Sequence, residues 1–228
     1  MITEIEISIV KDALAYAQSI GAQKARATLS MSSEDLVATL NGEVDRVTHS
    51  ADRSISFALF VDGKYGSFST NKLDKASLEN FLSKAVETAR MVSEDPCRDL
   101  PAPERCCKEA VDGNELGLVD PFYSEMTPEI RTQVALSAAV YGSEKGEDWK
   151  IVAEEGEYSD SIYETVVMDT NGLFCRHAEN SFDYGVELTI EDSEGEKYTG
   201  YHWDSSSRFA EIKVAECGLE ALRKAVSQ

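Results

Sequence analysis

The chain has 228 residues, 42% of them apolar and 28% charged, which excludes a disordered tail, a collagen-like repeat and a small disulfide scaffold. That length holds one large domain or two small ones. Asp and Glu outnumber Lys and Arg by 42 to 22, giving a formal charge of −20 and no Lys/Arg-rich run, so nucleic acid and anionic membrane are repelled.

The first helix is signalled by Thr3 and Glu6 in capping-box spacing, with Ile5, Ile9, Ala13, Tyr16, Ala17 and Ile20 as its apolar stripe and Gly21 as its stop. Five short strands follow, at 25–30, 36–40, 44–49, 54–61 and 64–69. Alternation is clearest in Ser54-Ile55-Ser56-Phe57-Ala58-Leu59. Asn41-Gly42 and Asp62-Gly63 are the tight-turn dipeptides of two-residue hairpins, so an antiparallel meander is expected. Asp74 then caps a second helix, with Leu73 and Leu78 at hydrophobic-staple spacing. Its core stripe is Leu78, Phe81, Leu82, Ala85, Val86, Ala89 and Val92, ending before Pro96.

Residues 94–125 carry Pro96, Pro101, Pro103 and Pro121 with little periodicity, and read as a linker. The pattern then recurs. Thr127-Pro128 starts a helix with Ile130, Val134, Ala138 and Tyr141 on one face, stopping at Gly142. Strands are expected near 150–158, 161–169, 173–178, 184–191 and 196–203, with turns at Asn171-Gly172 and Glu194-Gly195. A last helix is expected from about Ser206, carrying Phe209, Ile212, Leu219, Leu222 and Val226. The fold class is therefore α+β, as two successive antiparallel units bracketed by helices: 1–93, a Pro-containing linker at 94–125, and 126–228.

No catalytic, cofactor-binding or metal-ligating set stands out. His49, His177 and His202 lie in no HExxH or HxH spacing, whereas zinc needs several donors converging on one point. Cys175 and His177, two apart on one strand, share a face and could couple as nucleophile and base, but they lack a visible activating shell. Phosphate loops of the GxGxxG or GxxxxGK[ST] type and the GxSxG elbow are missing. Asp204-Ser205-Ser206-Ser207 reads as a helix cap. Glu154, Glu155, Glu157 and Asp160 lack EF-hand ordering and read as a solvated strand end, as do Glu187, Glu191, Asp192, Glu194 and Glu196. The aromatics of the second half (Tyr158, Tyr163, Phe174, Phe182, Tyr184, Tyr198, Tyr201 and Trp203) are expected mostly in sheet core, with any exposed fraction forming a partner surface. Five cysteines, including the adjacent Cys106 and Cys107, fit neither a redox nor a zinc motif. The start MITEIEISIV lacks a signal peptide's basic and apolar regions, and no run approaches the roughly 18 apolar residues of a membrane span. Reduced thiols and a cytoplasmic setting are expected.

One set of signals resembles a known family. Leu40-Asn41-Gly42-Glu43-Val44, then Gly63 with Gly66-Ser67, Ser69-Thr70-Asn71 and Leu73, an apolar helix to Ala89, and Glu94-Asp95-Pro96 are similar to the N-terminal region of the TldD/PmbA proteins, also known as modulators of DNA gyrase. Asp169-Thr170-Asn171-Gly172-Leu173 resembles that family's second block, and the likeness is nearer to the PmbA (TldE) branch. The resemblance implies a cytoplasmic metallopeptidase system in which a TldD-type subunit carries zinc on HExxxH and pairs with a PmbA-type subunit. This chain has no HExxxH, so no zinc ligand carries over and zinc is expected only in the TldD-type partner. Family members run to about twice this length, so the chain is expected to be an N-terminal half without the C-terminal domain. The implied function is a non-catalytic portion of a peptide-processing complex, with a TldD-type subunit or self-association as partner and peptide substrate contacts, but no nucleic acid or membrane. Two other readings are an acidic regulator that binds DNA gyrase and a stand-alone hydrolase built on Cys175 and His177.

Overall fold

The structure, a computed structural model, describes residues 1–106 and 116–228. Its elements run α1 Glu4–Ser19, β1 Lys24–Leu40, β2 Glu43–Val61, β3 Lys64–Thr70, α2 Lys75–Ala89, α3 Pro128–Ser137, β4 Trp149–Asp169, β5 Phe174–Asp192, β6 Lys197–Ser206 and α4 Val214–Val226. The strands pair in the order β3-β2-β1-β4-β5-β6. This is an α+β fold.

Among the described residues six strands stand where ten are expected. The stretches 25–30 and 36–40 belong to one 17-residue strand, and the other three merged pairs give strands of 19, 21 and 19 residues. The polar joints read as breaks, such as Ser32-Ser33-Glu34 and Ser50-Ala51-Asp52, contain neither Gly nor Pro. Polar side chains alone do not end a strand; a residue that cannot hold extended φ/ψ does. The true turns were visible: Asn41, Gly42, Asp62 and Gly63 all have positive φ (51°, 81°, 52° and 74°), as two-residue hairpins of this hand require.

Compactness divides the chain differently from the expected succession 1–93, 94–125, 126–228. One unit gathers 1–32, 51–117 and 163–178; the other gathers 33–50, 118–162 and 179–228. Part of the expected linker, and Cys107 within it, lies outside the described residues.

In unit 1, α1 is held at its start by the expected capping box, Thr3 N–H donating to Glu6 Oε2 at 2.8 Å. Its buried face is Ile7, Val10, Ala13, Leu14 and Ala17, not the stripe headed by Ile5 and Ile9. Both stripes have helical spacing, and Ile5 on the first turn is 74% exposed. Helix α2 is capped by Asp74, whose Oδ1 accepts from Ser77 N–H at 2.9 Å, and it buries Leu78, Leu82, Ala85, Val86 and Ala89. Val92 lies beyond its end. Strands β2 and β3 pair antiparallel from Ile55↔Thr70 to Val61↔Lys64, and alternate residues Ile55, Phe57, Leu59 and Val61 face α1 and α2 in one cluster.

In unit 2, Thr127 and Pro128 start α3 as expected, but the helix stops at Ser137. Strands β5 and β6 pair antiparallel from Phe182↔Ser206 to Glu191↔Lys197. Because β6 runs on to Ser206, α4 begins at Val214 rather than near Ser206, and it buries Val214, Cys217, Gly218, Ala221, Leu222 and Ala225. Leu219 and Val226, expected inside, are exposed. Two glycines let α4 sit close. A Cβ on Gly200 would lie 1.9 Å from the Ala221 carbonyl oxygen, and one on Gly218 would lie 2.0 Å from that of Ala138. No helix among the described residues is long and apolar enough to cross a membrane.

Candidate functional site

Unit 2 holds most of the features that the sequence singled out. The acidic run at 154–160 is split by strand parity, since successive residues point to opposite faces. Glu154 and Asp160 turn inward and are buried, correcting the solvated-end reading, whereas Glu155 and Glu157 are exposed. The four carboxylates therefore do not converge.

Each buried carboxylate is satisfied by a named group. Glu154 Oε2 accepts from the Val140 and Tyr141 backbone N–H groups at 2.9 and 2.8 Å, closing the chain after α3. Burial pushes its pKa up, opposed by these two hydrogen bonds. Asp160 is gripped by Arg131, with Nε to Oδ2 at 2.7 Å and Nη2 to Oδ1 at 2.9 Å. That is the bidentate geometry in which a planar guanidinium is strongest. Arg131 also donates from Nη1 to the Met126 carbonyl and pairs with Asp35 at 3.2 Å. Tyr158 donates its hydroxyl to Asp160 at 3.1 Å. Burial and the neighbouring Asp160 charge raise the Tyr158 and Tyr123 pKa values, so both phenols stay protonated. Asp35 in turn meets His49 Nδ1 at 2.9 Å, carrying the network from a buried aspartate to an exposed imidazole. Asp160, Tyr158 and His49 stand out in the sequence but Arg131, Asp35 and Tyr123 do not, and nothing in it signals their convergence, which long-range pairing creates.

The other candidates are dispersed. His49 faces Asp35, and His202 Nδ1 lies 3.1 Å from Lys224 Nζ. Cys175 and His177 are half-buried on β5 within unit 1. Cys217 is buried and its thiol is pushed up to about 11 by desolvation, so it is protonated and inert near neutrality. Among the described residues no three His, Cys, Asp or Glu side chains are grouped to hold a metal, so this donor set does not fit a zinc centre. Asp204 is not the helix cap expected of it: it lies within β6, and α4 begins at Val214 with Lys213 at its N-cap and no side-chain cap hydrogen bond, while the Asp204 carboxylate accepts from Ser205 N–H and Lys213 N–H at 3.0 and 2.8 Å.

Two surfaces remain. One is a strand edge. β3 reaches only Ile55–Val61 of β2, so among the described residues Glu43–Ser50 has β1 as its sole neighbour and is exposed throughout. The edge of β6, by contrast, is stoppered from α4: Lys224 Nζ donates to the Tyr201 carbonyl at 2.8 Å and Gln228 Nε2 to that of Thr199 at 2.7 Å. The other surface is a groove of about 700 Å³ on the sheet, lined by residues that include Glu155, Glu187, Tyr201 and Trp203.

Comparison with known proteins bears on this arrangement. The family model of the PmbA/TldA metallopeptidase central domain matches residues 125–228, and that of the PmbA/TldA metallopeptidase domain 1 matches residues 27–89. The metalloprotease PmbA of Escherichia coli O157:H7 is 23% identical over 235 residues, covering 99% of this chain and 49% of its own. A protein described as a modulator of DNA gyrase from Bacteroides thetaiotaomicron superposes with a TM-score of 0.88 at 25% identity, over 99% of this chain and 50% of its own. TldE of Thermococcus kodakarensis superposes with a TM-score of 0.73 at 14% identity, over 96% and 47%, which speaks for the fold alone. The chain thus spans about half the length of the relatives it matches.

Proposed function

The chain belongs to the PmbA/TldD family, and from that premise we propose that it is the N-terminal portion of a PmbA/TldE-like, non-catalytic subunit of a peptide-processing metallopeptidase. In this reading a TldD-type partner supplies the zinc, in a cytoplasmic complex. This chain supplies scaffold and a place for the peptide to lie. The observation that carries it is the open edge at Glu43–Ser50. An extended peptide can add there as a strand, with backbone hydrogen bonds giving affinity independent of sequence.

The test uses the chain joined to the second half that its relatives carry, mixed with a TldD-type subunit at micromolar concentration. Light scattering is expected to show a complex, and a photocrosslinking group introduced at Val47, 61% exposed on the open edge, is expected to capture an added unstructured peptide. Absence of a complex sinks the pairing; a complex without peptide capture at Val47 sinks the role of the edge.

A second reading is favoured by one observation each from sequence and comparison: the −20 charge, and the description of structural relatives as modulators of DNA gyrase. Here the chain binds gyrase through its acidic surface. Supercoiling assayed with and without the chain decides it, and no change in gyrase activity at low salt removes this reading.

A further inference from the structure

The unit 2 groove has a composition that neither scaffolding nor strand addition explains. Its sheet buries Tyr158, Phe182, Tyr184 and Val186 in the cluster with α3 and α4. The intervening residues therefore form the opposite, uncovered face. Small residues (Ala38, Ser159 and Gly185) floor the groove. Tyr201 and Trp203 stand beside Gly185 on β6, with Trp203 paired directly opposite it, and they are 49% and 60% exposed. A Cβ on Gly185 would lie 3.7 Å from the Tyr201 hydroxyl and 3.9 Å from Trp203 Cβ, so the floor lies directly beneath Tyr201 and Trp203, with room for a glycine and at most a methyl group at ordinary contact distance.

The charges on this face are one-sided. Asp45, Glu155, Glu157, Asp183 and Glu187 line it with Arg46 as the lining cation, and Arg46 is paired to Glu157 at 3.3 Å. Asp183 is held by the hydroxyls of Ser181 and Ser205, each at 2.6 Å, which leaves its charge uncompensated. Asp45, Glu155 and Glu187 have no ion-pair partner among the described residues. A concave face lined by one sign of charge concentrates the opposite sign. Exposed Trp and Tyr faces add a second attraction for the same ligand class, because the ring quadrupole binds guanidinium and ammonium groups. A second copy meeting this face through its own would set carboxylate against carboxylate, which disfavours a symmetric dimer here.

The spacing narrows the occupant further. Glu155 and Glu157 are two residues apart on β4, and Asp183 and Glu187 flank Gly185 on β5, so the carboxylates form rows at strand repeat. An extended polypeptide presents alternate side chains at that same repeat. We propose that the groove binds an extended polypeptide segment with arginine or lysine at alternate positions, its cations lying along the carboxylate rows and one of them stacked on Trp203. This does not depend on the metallopeptidase reading.

The probe is a blocked peptide alternating arginine and glycine, titrated against the chain in a Trp149→Phe background so that Trp203 reports alone. A saturable change in its emission is expected, and none with glutamate in place of arginine. Glu155→Gln with Glu187→Gln is expected to weaken binding about tenfold. The equally charged control Asp12→Asn with Glu87→Gln, on exposed helix positions of unit 1, is expected to stay within about twofold. Gly185→Val fills the floor without changing charge and is expected to weaken binding about tenfold as well. Circular dichroism checks that each variant is folded. Equal weakening by both charge-neutralised pairs, or full affinity in Gly185→Val and Trp203→Ala, overturns the groove as a site and leaves only diffuse attraction to an acidic protein.

Discussion

The two compact units solve the same packing problem with different chemistry. The unit 1 cluster is aliphatic, with Phe57 as its large fully buried ring; its buried carboxylates serve the margins. Glu164 holds the start of the chain, accepting from Ile2 N–H at 2.5 Å and from Arg176 at 2.7 Å, and Asp169 holds the Asn171-Gly172 turn by accepting from the N–H groups of Asn171 and Leu173. In unit 2 the polar network enters the cluster itself, because Tyr158 is both a fully buried core ring and a donor to Asp160. A core of the first kind tolerates exchange of one hydrocarbon for another. The second kind specifies its partners atom by atom, since every buried polar group must stay paired.

The sharpest way to break that comparison is Arg131→Met. It leaves the Asp160 charge buried without a cation, with only phenol neighbours such as Tyr158 to satisfy it, and is expected to cost about 3–5 kcal/mol in urea denaturation. Adding Asp160→Leu is expected to return most of that loss; if the single variant is near neutral, the network is ornamental. Next is Gly218→Ala. Helix propensity favours alanine by about 1 kcal/mol, but the 2.0 Å approach to the Ala138 carbonyl opposes it, and a net loss of about 2 kcal/mol is expected. A gain in melting temperature would show that α4 can back away.

Glu154 gives a smaller effect with a defined sign. Its folded pKa is raised by burial, so its contribution is fully present below the ordinary carboxylate pKa and is lost as pH rises through the folded value. Glu154→Gln keeps an acceptor for Val140 and Tyr141 without the charge. Its stability relative to the parent is expected to grow between acid and neutral pH, read from parallel urea curves. The reverse trend would mean that the two hydrogen bonds outweigh burial. The smallest effect is Ile5→Ala, within about 0.5 kcal/mol, set against Ile7→Ala in unit 1, about 2–4 kcal/mol.

What could be read from the sequence follows the same division. Local signals held: the Thr3–Glu6 box, the Asp74 and Thr127 caps and the two hairpin turns are each decided by a few neighbouring residues. Alternation placed Ile55, Phe57 and Leu59 inside because every second residue is apolar. The same reasoning failed at 154–160, where inward positions carry Glu and Asp whose partners Arg131, Val140 and Tyr141 lie on other elements. Four strands were cut in two because polar joints without Gly or Pro resemble loops in composition but not in backbone freedom. Trp203 and Tyr201 were read mostly as core; strand parity puts them outside, on the face that the groove occupies.

The strand order has a consequence for how the chain is made. β1 lies between β2 and β4, and its pairing with β4, seen where Thr170 N–H meets the Ala25 carbonyl at 2.9 Å and Asn41 N–H meets that of Glu154 at 2.8 Å, joins residues more than a hundred positions apart. On the ribosome β1, β2 and β3 can form hairpins at once, but the other side of β1 stays bare until β4 has been synthesised. At roughly 5–20 residues per second that wait lasts several seconds or more, and a long unpaired strand edge is the feature most prone to pairing with the wrong chain. The segment between α2 and α3 thus acts in time as well as space. Its length adds to the time for which the nascent chain needs protection.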